Sequence, residues 1–163
     1  MGEPALEINH HQMTIDCYNQ DSPYWGTRFL SLDTGELCQR FLSHLPKKAH
    51  ILDIGCGPGR DTKYFLDHGY KVTAFDAAEE LVSLARRHTG QPILHMTFED
   101  MAFREEFDGI WSMASLLHIS HQDIITVFKN NLIPALKPQG VLYLCLQYGE
   151  GERISKNRYF ADY

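Results

Sequence analysis

The stretch Ile51-Leu-Asp-Ile-Gly-Cys-Gly-Pro-Gly-Arg60 constrains this chain more than any other. It opens on an apolar run without regular polar alternation, the pattern of a strand covered on both faces. Asp53 lies inside that run near its carboxyl end, and glycines at 55, 57 and 59 then turn the chain into a short helix beginning at Arg60. A parallel strand, a glycine loop and a helix N-terminus form the crevice in which α/β proteins hold nucleotide-like ligands. A dinucleotide suits this version poorly. The pattern G-x-G-x-x-G asks for a small residue where this chain has Arg60, and a carboxylate beneath the loop would meet a pyrophosphate of like charge. Asp53 instead suits a ligand carrying an ammonium or sulfonium; its purely structural alternative is to accept N–H bonds from the loop.

Periodicity places the other elements around this one. A helix is expected from Met13, broken before Ser22-Pro23 and resumed beyond it, carrying the aromatics Tyr18, Tyr24, Trp25 and Phe29. An amphipathic helix follows over Glu36 to Leu45. Strands are expected at 51–54, 71–75, 92–97, 107–112 and 141–146, with helices near 60–68, 78–88 and 121–131 and a turn at Lys137 to Gly140. Gly69 and Gly90 stand where helices need a left-handed C-terminal residue. Strands alternating with helices at this spacing predict an α/β fold with a parallel sheet of right-handed crossovers. Residues 1–12 are polar and expected to fray, with His10-His11 as an unengaged pair. The chain turns hydrophilic after Tyr148, so no further strand is expected there. That leaves the fifth strand as an open edge, which needs covering by a helix, by the tail or by another molecule, a second copy in a homodimer being one such cover.

The 163 residues fit one domain spanning 1–163. A formal net charge of −6, with no Lys/Arg run, argues against a nucleic-acid or membrane footprint. Cysteines 17, 38, 56 and 145 form no C-x-x-C pair, which argues against a thiolate metal site and for a reducing compartment. The N-terminus lacks the basic and apolar regions of a signal peptide, and no stretch approaches the roughly 18 apolar residues of a membrane span, so a cytoplasmic location is expected.

Asp53-Ile-Gly55-Cys-Gly57-Pro-Gly59 resembles motif I of the class I S-adenosylmethionine-dependent methyltransferases. The likeness continues through Asp76 at the end of strand two, Phe98-Glu99-Asp100 after strand three, Phe107-Asp108-Gly-Ile-Trp111 in strand four and Leu136-Lys-Pro-Gln-Gly140 before strand five. It covers about residues 14–148. The resemblance implies a Rossmann-like three-layer sandwich with strand order 3-2-1-4-5, a core over 46–148, an N-terminal helical lid over 13–45 and S-adenosyl-L-methionine as cofactor. By the same resemblance the usual antiparallel C-terminal hairpin is missing. The implied cofactor residues are Asp53, Gly55, Cys56, Gly57, Gly59, Arg60, Asp76, Ala77, Phe98, Glu99, Ser112 and Ala114. Asp76 would hold the ribose hydroxyls, a role its position at a strand end also allows; capping the next helix is its structural alternative. Gly59-Arg60-Asp61, Ala114-Ser-Leu-Leu-His118 and Tyr148-Gly-Glu-Gly151 look like a small bacterial subgroup related to tellurite-resistance methyltransferases.

The reaction expected is methyl transfer to a small-molecule acceptor; the alternative is a module that binds the cofactor without turnover. His118, on the carboxyl side of strand four, is the candidate general base, against packing at a helix start. His118-x-x-His121 with Asp123 is too loosely spaced for a metal, and none is expected. Arg60 needs an anion in its helix's first turn, either Asp61 or the cofactor carboxylate. Tyr18, Tyr24, Trp25 and Phe29 are candidates for a substrate lid, or for plain core.

Overall fold

The computed structural model of the chain describes residues 9–163; the fraying expected of the first dozen residues falls partly on residues 1–8, outside that range. Strand β1 (His50–Ile54) is the centre of a five-stranded parallel sheet. It pairs with β2 (Lys71–Asp76) on one side and β4 (Phe107–Met113) on the other. The two-residue β3 (Leu94–His95) and β5 (Leu136–Cys145) complete the order 3-2-1-4-5. Side-chain alternation in β1 supplies both layers of core. Ile51 packs on one face with Phe41, Phe65 and Trp111, while Leu52 and Ile54 pack on the other with Phe75, Ile110, Val127 and Leu132. The first face is covered by α3 (Gly35–Leu42), α4 (Arg60–Asp67) and α5 (Glu79–Thr89), the second by α6 (His121–Val127). Trp111 and Phe65 are completely buried, each contributing about 2–3 kcal/mol by area removed from water.

Helices α1 (His10–Gln20) and α2 (Ser22–Leu30) divide at Asp21, before Ser22-Pro23 as expected. The first starts at His10 and not near Met13, and the second resumes at Ser22 itself, with Pro23 in its first turn, and not beyond the pair. Asn9 caps α1 by accepting the Gln12 N–H, and His10 stacks on Tyr159 instead of standing free. Gly90 ends α5 at φ 68°, which confirms its C-terminal role. The segment after α6 continues through a π-turn (Phe128–Leu132) into α7 (Ile133–Ala135), so the helical stretch runs to the foot of β5. The expected turn at Lys137 to Gly140 is a bulge within β5. Pairing passes from Phe107–Leu136 directly to Gly109–Val141, and Gln139 takes φ 66°.

Two strands follow Tyr148, contrary to expectation. β6 (Gly151–Ser155) and β7 (Arg158–Asp162) pair antiparallel across Lys156-Asn157, whose φ values of 50° and 58° are those of a two-residue hairpin turn. The missing-hairpin expectation is therefore corrected. This hairpin is a separate two-stranded sheet and does not extend the main one. It was illegible because Lys-Asn lacks the usual glycine and β6 is exposed at every position, so apolar alternation survives only in Tyr159 and Ala161. Among the described residues no helix is long and apolar enough to cross a membrane, and no group of three His, Cys, Asp or Glu side chains is arranged to hold a metal.

Candidate active site

The carboxyl ends of β1, β2 and β4 open into a cavity of about 230 Å³, walled on the far side by α1. Its floor is the loop after β1. Gly55 has φ +65°, and a Cβ there would lie 2.4 Å from Ser115 Cβ, so this glycine lets two loops close on each other. Gly57, at φ +55°, is different: the nearest atom to its absent Cβ is Phe29 Cδ2 at 3.7 Å, and its backbone faces the cavity.

Three carboxylates lie at this floor. Asp53 is 2% exposed and accepts a 2.6 Å bond from Thr62 Oγ1. It takes no loop N–H in hydrogen bonding. Burial pushes its pKa up to about 8, with the neighbouring Asp61 adding to the rise and the Thr62 hydroxyl opposing it. Asp76 accepts the Gly57 N–H at Oδ2 (2.8 Å) and the Ala78 N–H at Oδ1 (2.9 Å), tying the glycine loop to the start of α5. Its pKa is also raised by burial, with those backbone bonds opposing. Asp61 takes Arg60 in two bonds of 2.7 and 2.8 Å, Trp111 Nε1 at 2.9 Å and Thr34 Oγ1 at 2.6 Å. Of the two partners expected for Arg60, Asp61 is thus in place, and Arg60 also donates to the Phe29 carbonyl.

These shifts have a definite sign. Below about 8 the folded protein holds a proton on Asp53 that the unfolded carboxyl, near 3.8, has shed, so stability falls as pH rises toward 8. His118 acts oppositely: buried and lowered to about 4, it loses stability for the fold as pH falls below its ordinary 6.5. Between these effects lies a window from pH 6.5 to 8. There the urea midpoint is expected to drop with pH in the wild type and to flatten in Asp53→Asn. An equal slope in both proteins would refute the assignment.

Of the expected site residues, Asp53, Gly55, Cys56, Gly57, Arg60, Asp76, Ala77, Phe98, Ala114, Tyr18, Phe29 and His118 all line the cavity. Phe98 also packs edge-on against Phe75 in the core. Five do not line it. Gly59 faces α5, where a Cβ would meet Thr89 Cγ2 at 2.8 Å. Ser112 is completely buried and bonds Ser115, whose hydroxyl donates to the Ile54 carbonyl. Trp25 lies behind Tyr18 and Phe29, stacked on the latter, and Tyr24 is half exposed beyond it. Glu99 points outward near His11, 3.9 Å away. Reasoning from sequence missed Thr14, Ile15, Thr34, Asp61, Met96 and Ser115 among the lining residues. Only Asp61 carried a signal, through its position beside Arg60.

His118 sits between two elements distant in sequence. Its Nδ1 is 2.6 Å from the Tyr159 carbonyl of β7, and its Nε2 is 3.0 Å from the Tyr18 hydroxyl of α1.

The family model described as a methyltransferase domain matches residues 51–140, more than half of the chain. YqeM of Bacillus subtilis (strain 168), which is named as a methyltransferase, is 34% identical over 106 residues, 60% of this chain and 42% of that protein. A ubiquinone biosynthesis O-methyltransferase of Xanthomonas axonopodis pv. citri (strain 306) is 34% identical over 106 residues, 61% of this chain and 43% of the relative. The match thus spans less than half the length of these curated relatives. The crystal structure of Burkholderia thailandensis 1,6-didemethyltoxoflavin-N1-methyltransferase superposes with a TM-score of 0.69 at 22% identity, covering 99% of this chain and 76% of that one. At such identity the likeness is one of fold, and the narrower likeness to tellurite-resistance methyltransferases gains no support from it. With the glycine loop, the strand order and the family match in agreement, the chain belongs to the class I S-adenosylmethionine-dependent methyltransferases.

Proposed function

We propose that this chain transfers a methyl group from S-adenosyl-L-methionine to a small-molecule acceptor, as one domain with α1 and α2 forming its lid. The observation that carries the reading is the floor of the cavity: an open glycine backbone at Gly57 beside the buried carboxylates Asp53 and Asp76. The cofactor fits this floor. Each Asp76 oxygen accepts one backbone N–H and keeps a lone pair for a hydroxyl proton. A cationic ligand beside Asp53 would offset the burial that keeps it protonated and draw it toward the carboxylate, pairing the two charges. Bound there, S-adenosyl-L-methionine supplies an electrophilic methyl on sulfonium. In this reading Asp76 holds the ribose, Ala77 and Phe98 flank the adenine, and Gly55 and Gly57 leave room for the amino-acid portion. Ser112 and Gly59 support that surface from behind, Trp25 backs the lid, and Glu99 has no part in it. The protein's task is then alignment and exclusion of water, for which Tyr18 and Phe29 line the acceptor side.

Calorimetric titration with S-adenosyl-L-methionine beside NAD, followed by assay for S-adenosylhomocysteine, tests the reading. Binding of the former alone, with turnover, is expected; failure to bind at millimolar concentration would overturn it. Binding without turnover against any acceptor would leave a non-catalytic module. Asp76→Ala is expected to weaken cofactor binding about a hundredfold, the scale of losing charge-assisted bonds to two hydroxyls. Because Asp76 also holds two backbone N–H groups, the titration is paired with a urea curve to confirm that the variant is folded.

A further inference from the structure

We infer that the methyl acceptor carries an N–H or O–H group on or beside its nucleophilic atom and donates a hydrogen bond from it, without proton transfer, to Tyr18 Oη, which His118 and Arg158 hold as an acceptor. The inference rests on the methyltransferase reading above and specifies its substrate class. The chain of bonds begins at the hairpin. A carbonyl only accepts, so the 2.6 Å contact between His118 Nδ1 and the Tyr159 oxygen requires the proton on Nδ1. Nε2 of the neutral ring is then an acceptor, and the Tyr18 hydroxyl donates to it across 3.0 Å. Arg158 Nη1 donates to Tyr18 Oη in turn, at 3.3 Å.

Tyr18 has one proton, and that proton is committed to His118. One lone pair is engaged by Arg158, which leaves the remaining lone pair for the acceptor. An acceptor lacking a donor would set lone pair against lone pair in a partly dry cavity. The arrangement is held firmly. The Arg158 guanidinium lies 4.2 Å over the Trp25 ring and 5.0 Å over Phe160, so its donor edge is aimed by stacking. Thr14, one turn before Tyr18, accepts the Tyr159 N–H at 2.9 Å and locks α1 to β7.

The ring stays neutral across the physiological range. Burial lowers the His118 pKa to about 4, the Tyr159 carbonyl opposes this, and Arg158 of β7 and His11 of α1 lower it further. With its Nε2 lone pair already taken, His118 is a positioning residue and not the acceptor's base, which revises the role expected for it from sequence.

Two measurements test this on the intact protein. Nitrogen-15 NMR of the histidines is expected to show His118 protonated on Nδ1 and neutral to below pH 5, with its midpoint rising in Tyr18→Phe, where Nε2 loses its donor. An Nε2-protonated ring, or an unmoved midpoint in that variant, would overturn the inference. Transfer of labelled methyl is then measured to amines, phenols and N–H heteroaromatics beside thioethers and tertiary amines. Turnover confined to the donor-bearing set is expected. In that set Tyr18→Phe should lose about tenfold to a hundredfold in kcat/KM while cofactor affinity holds within about twofold. His118→Gln, which can still donate to the carbonyl and accept from Tyr18, should retain more activity than His118→Leu. Transfer to the donor-free set at comparable rates would sink this inference alone. Bound cofactor with transfer to neither set would sink the catalytic reading and this inference with it.

Discussion

Asp61→Ala is expected to destabilise the fold by about 3–5 kcal/mol, the range for removing one partner of a buried ion pair, as read from urea or thermal unfolding. Asp61 is 5% exposed and satisfies three groups at once: the Arg60 guanidinium, Trp111 Nε1 and Thr34 Oγ1. Alanine leaves Arg60 charged and largely buried in the first turn of α4, where the helix dipole already disfavours a cation. It also strands the indole N–H of a completely buried tryptophan. Two penalties therefore add. Asp61→Asn keeps one acceptor oxygen but loses the paired charge, so its loss should be smaller. If Asp61→Ala unfolds no more easily than a surface substitution, the hub has no energetic role.

Gly55→Ala is expected to lose about 3 kcal/mol of stability, combining roughly 1 kcal/mol for a left-handed alanine with overpacking in the 1–3 kcal/mol range. Cofactor binding should fall with it. The overlap with Ser115 Cβ at 2.4 Å cannot be relieved by a rotamer, because both atoms sit one bond from backbone. Adding Ser115→Gly removes the overlap but also the hydroxyl that bonds the Ile54 carbonyl, so the double variant should recover only part of the loss, with a favourable coupling energy. Gly69→Ala is the control. Its φ of +83° is strained for alanine, yet nothing lies within 4 Å, so a loss near 1 kcal/mol is expected there. Equal losses at both sites would show that conformation alone, and not loop contact, governs Gly55.

These two sites also mark how far the sequence could be read. The glycine loop, the buried acidic strand end and the helix stop at Gly90 were all visible, since each is a local device with its own residue signature. Arg60 was recognised as needing an anion, but the convergence of Thr34 and Trp111 on the same carboxylate was not. Strand three shrank to Leu94–His95, where only two residues find a ladder with β2. Glu99 sits in the segment that resembles the family's adenine-contacting stretch, yet its side chain turns outward toward His11.

The amino-acid order by itself determined the crossover sheet, the loop at its carboxyl end and the carboxylates beneath it, because buried runs, turn glycines and helix ends act over a few neighbouring residues. Only the tertiary structure decided which side chains wall the cavity and in what protonation they stand. The hydrogen bond from Tyr18 to His118 joins positions 100 residues apart, and that from Tyr159 to Thr14 joins positions 145 apart. No periodicity or spacing encodes such contacts; they exist only once the hairpin docks across α1, and that docking fixes the proton on one nitrogen of His118.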